Sequence, residues 1–339
     1  MKYLKKIEGV KHFFLLKGEE VVATKGEVRI GALSLDMAPE EDIFCENDVL
    51  VKYTKADTDG LRKQFTYKDG KWNENCPRYG DFQYFSENLY YSRERNKEEQ
   101  LMRYSIIENG KETLFEIKSE LGLKLHNYIE ELSIYIFPEI QDHSLLFYTK
   151  DLQFLWKYQI EEPNVKILQP QGYTIVGDIV LIVRRERLGM TDFKFSMDAF
   201  CIRSGKHIWG CENLDFLPML RIASDNMAYS IHDQVDGQTF ICKIDPTNGD
   251  LTKHEIKSDK INSKTEFSSL STIDHNVMYV IIESPKPSLC SINLETMELE
   301  ECQELETAQG IWLTEAPIVT EDKIYLFIPS LEELHILQR

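Results

Sequence analysis

Asp178-Ile179-Val180-Leu181 and Asn226-Met227-Ala228-Tyr229 share one pattern: a polar turn residue, then an apolar run. The pattern recurs in Asp48-Val49-Leu50-Val51, Asn88-Leu89-Tyr90-Tyr91, Asn276-Val277-Met278-Tyr279 and Lys323-Ile324-Tyr325-Leu326. The offsets between leading residues are 40, 90, 48, 50 and 47, and a degraded copy, Ser133-Ile134-Tyr135-Ile136, halves the long one. A repeat of about 40–50 residues is the mark of a β-propeller, whose unit is a blade of four antiparallel strands. The remainder of each unit agrees. Ala199 to Ile202 and Lys206 to Trp209 are alternating runs about a Ser204-Gly205 turn. Similar hairpins turn at Asp69-Gly70, at Asn109-Gly110 and through 245–249, where glycine supplies φ > 0.

The expected fold is therefore all-β, a single propeller domain over 1–339 with seven blades favoured and eight the alternative. The run 334–337 reads as a third strand lacking a fourth, so residues 1–25 are expected to complete the last blade and close the ring. A single helical turn is the most that 120–131 offers.

The chain has 57 acidic and 39 basic residues, a net charge of −18. Such a field repels nucleic acid and anionic membranes and attracts basic partners. The seven cysteines (45, 76, 201, 211, 242, 290 and 302) are odd in number and form no CxxC pair. Neither a disulfide framework nor a zinc site is expected; the thiols read as small buried hydrophobes. Lys11 and His12 interrupt the N-terminal apolar run, so no secretion signal is expected. No apolar stretch approaches the roughly 20 residues that span a bilayer. The expected address is the cytoplasm.

The hairpin 199–209 resembles the tryptophan-docking motif of quinoprotein-like propellers, with Ala199, Gly205 and Trp209 at the matching places. The family's aspartate two residues after the alanine is Cys201 here, and its threonine before the glycine is Ser204. Trp72 and, more loosely, Trp156 occupy related places in other units. The resemblance implies that the tryptophan stacks on the next blade and sets the angle between blades. It implies no quinone chemistry, because the adjacent-cysteine pair is missing. The non-catalytic members of that superfamily fit better; WD-repeat propellers fit less well, since no Trp-Asp pair closes a strand.

Catalytic signatures are missing. There is no nucleophile elbow, no phosphate-binding glycine loop and no paired histidine motif of a zinc protease. Asp57-Thr58-Asp59-Gly60 begins like a calcium loop, but Leu61-Arg62-Lys63 follows, so it reads as a polar hairpin tip. No cofactor or metal is expected. Two charged segments are the candidate contact surfaces. One is acidic: Glu40, Glu41 and Asp42 beside Pro39, with Asp57 and Asp59 added from the neighbouring hairpin. The other, Arg184, Arg185 and Arg187, opens the longest insertion within a blade, which runs on through Leu188, Met190 and Phe193 to about Asp198. Long loops on rigid scaffolds concentrate binding residues. The expected function is a protein-binding module for a basic partner, either an assembly or regulatory scaffold or an immunity-type inhibitor of a basic toxin. The alternatives are an enzyme with its site at the central channel, and a carbohydrate-binding propeller.

Overall fold

A computed structural model describes residues 1–38, 40–54, 63–74, 81–86, 89–96, 101–109, 111–117, 127–138, 143–168, 172–190, 192–233, 238–256, 258, 261, 265–268, 270–284, 286–307 and 315–339. The described residues are almost wholly strand and turn, with one 3-10 turn, Pro329–Leu331. They fall into two compact units: Glu8–Ile129, and Met1–Ile7 together with Glu130–Arg339.

The smaller unit holds three four-stranded antiparallel meanders, Val10–Leu16 to Leu33–Asp36, Asp42–Glu46 to Lys71–Glu74, and Asp81–Ser86 to Lys111–Ile117. Its last strand, Asn127–Ile129, lies where a helical turn was the most expected. The larger unit holds five further sheets. The fourth sheet runs through Ile134–Pro138, Ser144–Thr149 and Phe154–Gln159, and the fifth through Ile179–Arg187, Phe193–Cys201 and His207–Leu214. The sixth contains Ala228–Asp233, Thr239–Ile244 and Leu251–Glu255; the seventh contains Val277–Ser284, Ser288–Asn293 and Glu298–Glu304. In the eighth, Lys323–Ile328 and Glu333–Gln338 are joined at the edge by Lys2–Glu8.

The described strands thus make eight sheets, not the favoured seven. Residues 1–25 divide: Lys2–Glu8 joins the last sheet, whereas Val10–Leu16 and Glu19–Thr24 start the first.

The leading residue of the repeat has a conformational role. Asp48, Ser133 and Asn226 have φ of 59°, 55° and 60°; in two other units Gly177 and His275, one residue earlier, take that part. Short polar side chains and glycine tolerate this left-handed region. The apolar run that follows is buried on both faces, as in Val180, Leu181, Ile182 and Val183, all at 0% exposure. In the sixth sheet one face of this strand meets the fifth sheet and the other meets the seventh. Ala228 packs with Leu181, Val183 and Ala199 of the fifth sheet, while Tyr229 and Ile231 pack with Met278, Val280 and Ile282 of the seventh.

Tryptophan rings join successive sheets. Trp209 Nε1 donates to the Pro246 carbonyl at 2.8 Å, and a Cβ added at Gly249 would lie 2.8 Å from the ring. Trp156 repeats this one sheet earlier: its Nε1 donates to the Ile202 carbonyl at 2.7 Å, and a Cβ at Gly205 would lie 2.6 Å from the ring. Trp156 also stacks on Phe147, with centroids 4.0 Å apart. Ala199 lies opposite Trp209 and is fully buried, so a small residue there admits the ring. Trp72 is different. It packs edge-on against Tyr67, and its buried Nε1 has no hydrogen-bond partner among the described residues.

One expectation fails outright: Cys290 and Cys302 are joined by a disulfide. They lie directly opposite each other on neighbouring strands of the seventh sheet, which brings their Cα atoms to 4.1 Å. Cross-strand register supplies the pairing, and register is not visible in cysteine spacing. Cys45, Cys201, Cys211 and Cys242 form no disulfide among the described residues, and Cys76 lies outside them.

The eighth sheet closes on a buried polar network. His335 is at 0% exposure; Tyr3 Oη lies 2.8 Å from its Nδ1, and Glu333 Oε2 lies 3.1 Å from its Nε2. Thr307 Oγ1 donates to Glu333 at 2.8 Å, and Lys6 Nζ lies 3.1 Å from the same carboxylate. Burial holds the imidazole pKa below its ordinary 6.5, against the upward pull of Glu333.

Two expectations follow. Gly249→Ala and Gly70→Ala both place a side chain at positive φ, but only the first meets a ring. Gly249→Ala should therefore lose about 1–3 kcal/mol more than Gly70→Ala in chemical unfolding, the range for overpacking. The second concerns pH. The unfolded histidine gains its proton near 6.5, while the folded one resists it to lower pH. Stability should be full above that value and fall as pH drops through it towards 5. Urea midpoints should show the decline, and His335→Gln should flatten it.

Candidate partner-binding surface

The basic segment is strand, not loop. Ile179–Arg187 and Phe193–Cys201 are nine residues each and stay paired to the last step, with Arg184 opposite Ser196, Arg185 opposite Phe195 and Arg187 opposite Phe193. The expected insertion is a hairpin that continues beyond the core. Its first half, 180–183, is buried; from Arg184 onward the strand is partly or fully exposed.

Where the hairpin leaves the core, four side chains meet. Arg184 Nη2 donates to Glu212 Oε1 at 2.9 Å, and its Nε lies 3.0 Å from Asp198 Oδ2, an ion pair rather than an aligned hydrogen bond. Tyr158 Oη, from the fourth sheet, donates to the same Asp198 oxygen at 3.3 Å. Gly210 makes room for this carboxylate, since a Cβ there would stand 2.7 Å from Asp198 Oδ1. Burial pushes the Tyr158 phenol well above its ordinary range, so it stays a donor. Burial alone would lower the Arg184 pKa, but Tyr158, Asp198 and Glu212 outweigh it, and the guanidinium is charged. Arg184 is therefore a structural group at the foot of the hairpin.

Above this foot the surface is mixed. The Arg185 guanidinium sits 4.9 Å from the Phe193 ring centroid. Arg187 Nε donates to the Gly189 carbonyl at 2.9 Å, and the Leu188 amide donates to the Asp192 carbonyl at 3.0 Å. These contacts tie the two strand ends together, while Met190 is 88% exposed, Leu188 63% and Phe193 40%.

The acidic segment is largely neutralised where it stands. Glu41 Oε1 lies 2.9 Å from Lys52 Nζ, with both side chains mostly covered, and Glu41 Oε2 accepts the Ala38 amide at 2.9 Å. Lys52 in turn lies over the rings of Phe65 and Trp72. Asp42 begins a strand, with its Oδ1 2.8 Å from His12 Nε2. Glu40 is exposed. Asp57 and Asp59 lie outside the described residues. The described acidic candidates belong to the smaller unit and the basic ones to the larger. Among the described residues, no group of three or more His, Cys, Asp or Glu side chains is placed to hold a metal ion.

Sequence reasoning missed Tyr158, Asp198 and Glu212. A signal was present: Asp198 stands between Met197 and Ala199, both buried, and a carboxylate in such a run needs a partner.

No protein-family model matches the chain, and no curated protein matches it in sequence. Its fold does have counterparts among solved structures. It is similar to Sqt1 of Saccharomyces cerevisiae, with a TM-score of 0.54 at 10% identity, covering 100% of this chain and 99% of that one. It is also similar to AztD from Citrobacter koseri, with a TM-score of 0.50 at 13% identity, covering 98% and 91%. The fold is a β-propeller. At these identities the likeness extends to the fold alone.

Asp198→Asn should lower stability by about 1–3 kcal/mol by leaving the half-buried Arg184 with a weakened partner. Arg187→Ala, at the exposed end of the same strand, should stay within about 0.5 kcal/mol. Denaturant titration of both variants checks the contrast.

Proposed function

We propose that this propeller is a binding module that performs no reaction of its own and holds a protein partner. The observation that carries this reading is the hairpin itself. It is anchored by ion pairs at Arg184, its strand ends are tied by hydrogen bonds, and it presents apolar side chains to solvent. A surface of this kind is made for contact rather than catalysis, since arginine, methionine and phenylalanine are enriched at interface cores. The titratable groups at the foot and at His335 are engaged in structural pairs.

The partner is a protein of basic overall charge. With −18 on the chain, long-range attraction speeds the approach of such a partner and repels acidic ones. The role is an assembly or regulatory scaffold, or the capping of a basic toxin as an immunity-type inhibitor. The two tryptophan–glycine joints support placing the chain beside the non-catalytic quinoprotein-like propellers. No helix among the described residues is long and apolar enough to cross a membrane. The Cys290–Cys302 bond weighs against the reducing cytoplasm expected from composition, because such bonds persist in oxidising compartments.

Affinity capture from the native cell extract, at moderate and then high salt, tests the reading. One stoichiometric basic protein, released as salt rises, is the expected result. An empty capture at both salts overturns it.

A further inference from the structure

We propose that the tip of the fifth-sheet hairpin is the recognition element, and that it docks into an apolar groove of the protein partner whose rim carries carboxylates. This rests on the protein-binding reading above and names the chemistry of the contact.

The argument begins with exposure. Leu188, Met190 and Phe193 gather at the end of one hairpin, and Met190 at 88% is the most exposed of the large apolar residues described. Water contact with so much apolar surface is unfavourable, and burying it against a partner supplies binding energy. Order matters equally. The pairing of Arg187 with Phe193, the Arg187 bond to Gly189 and the Leu188 bond to Asp192 tie the two strand ends together before any partner arrives. A preorganised tip loses little conformational entropy on docking. Methionine at its apex fits grooves of varied outline.

Charge selects the occupant. Around the tip stand Arg185, Arg187 and, opposite Arg185 on the adjoining strand, Lys166; Lys194 lies 3.9 Å from Glu186, and Asp192 is the other carboxylate among them. The collar is therefore basic on a chain whose net charge is −18. The Arg185 guanidinium lies against Phe193, so an apolar contact there brings a cation to the groove's edge. A carboxylate on the partner's rim satisfies that cation with a charge-assisted hydrogen bond. Two other occupants are disfavoured by the same ledger of charge. An anionic lipid surface repels the acidic body of the protein, and a second copy of the chain brings a further −18. A partner that is basic overall still approaches favourably, with the acidic groove placed to receive this basic projection.

The test places a diazirine amino acid at position 190 of the full chain, which is then irradiated in native extract; adducts are mapped by mass spectrometry. The expected adduct joins position 190 to one other protein, in an apolar segment flanked by Asp or Glu. In binding measurements with that protein, Met190→Asp should weaken affinity by at least about 30-fold, as at a hot spot. Arg185→Glu should weaken it by about 5- to 10-fold. Met190 is exposed, so its variant should keep the wild-type melting temperature. An adduct to a second copy, an adduct to lipid alone, or no adduct overturns the inference. If a partner is captured but Met190→Asp leaves its affinity unchanged, the hairpin inference fails while the protein-binding reading stands.

Discussion

An indole ring lying on a glycine backbone is the contact on which the sheet-to-sheet geometry of the larger unit depends. The second strands of these sheets are buried on both faces, so each sheet must meet both neighbours at a fixed spacing. Trp156 and Trp209 set that spacing at two consecutive joints, each with a flat ring and one hydrogen bond. The glycines serve twice over, giving positive φ to their turns and leaving no Cβ where the ring must lie. The seventh sheet supplies the contrast. Its turn places Met297 at φ 59°, and the residue corresponding to Trp209 in the sheet before it is Lys253. Where no ring arrives, a side chain is tolerated.

The repeat was legible because its physics is local. A residue that accepts φ > 0 followed by an apolar run marks the entry to each buried strand, and both features belong to a few adjacent residues. The first sheet entered only as the alternative count, for a local reason as well. The turn before Glu19–Thr24 uses Lys17 and Gly18, at φ 50° and 84°, rather than Asp or Asn. The apolar runs were visible, but without the usual leader they looked like an appendage to the last sheet, and the count came out one short. Trp209 was legible through its spacing from Gly205. Trp156 was read only loosely, because its own turn, closed by Leu152 at φ 59°, contains no glycine.

What stayed hidden depends on register. Cys290 and Cys302 meet because a bulge between Ser291 and Ile292 places them opposite each other, which a count of cysteines does not reveal. Likewise, charge runs say nothing about pairing. Glu41 and Asp42 read as free acids until Lys52 and His12 are found beside them, and Arg184 read as a contact residue until Asp198 and Glu212 are placed around it. The candidate surface that survives is the one whose charges are left over once these pairs are made. It lies one turn beyond the arginines that first attracted attention.

The sheet that unites Lys2–Glu8 with Glu333–Gln338 has a consequence for the birth of the molecule. A ribosome adds on the order of 10 residues per second, so the first of these strands leaves the exit tunnel roughly half a minute before its neighbour exists. Through that interval Tyr3 has no His335 to meet, and the hydrogen-bonding edge of an early strand stays open in a crowded cell. A nascent chain therefore keeps that edge open until Glu333–Gln338 has been made.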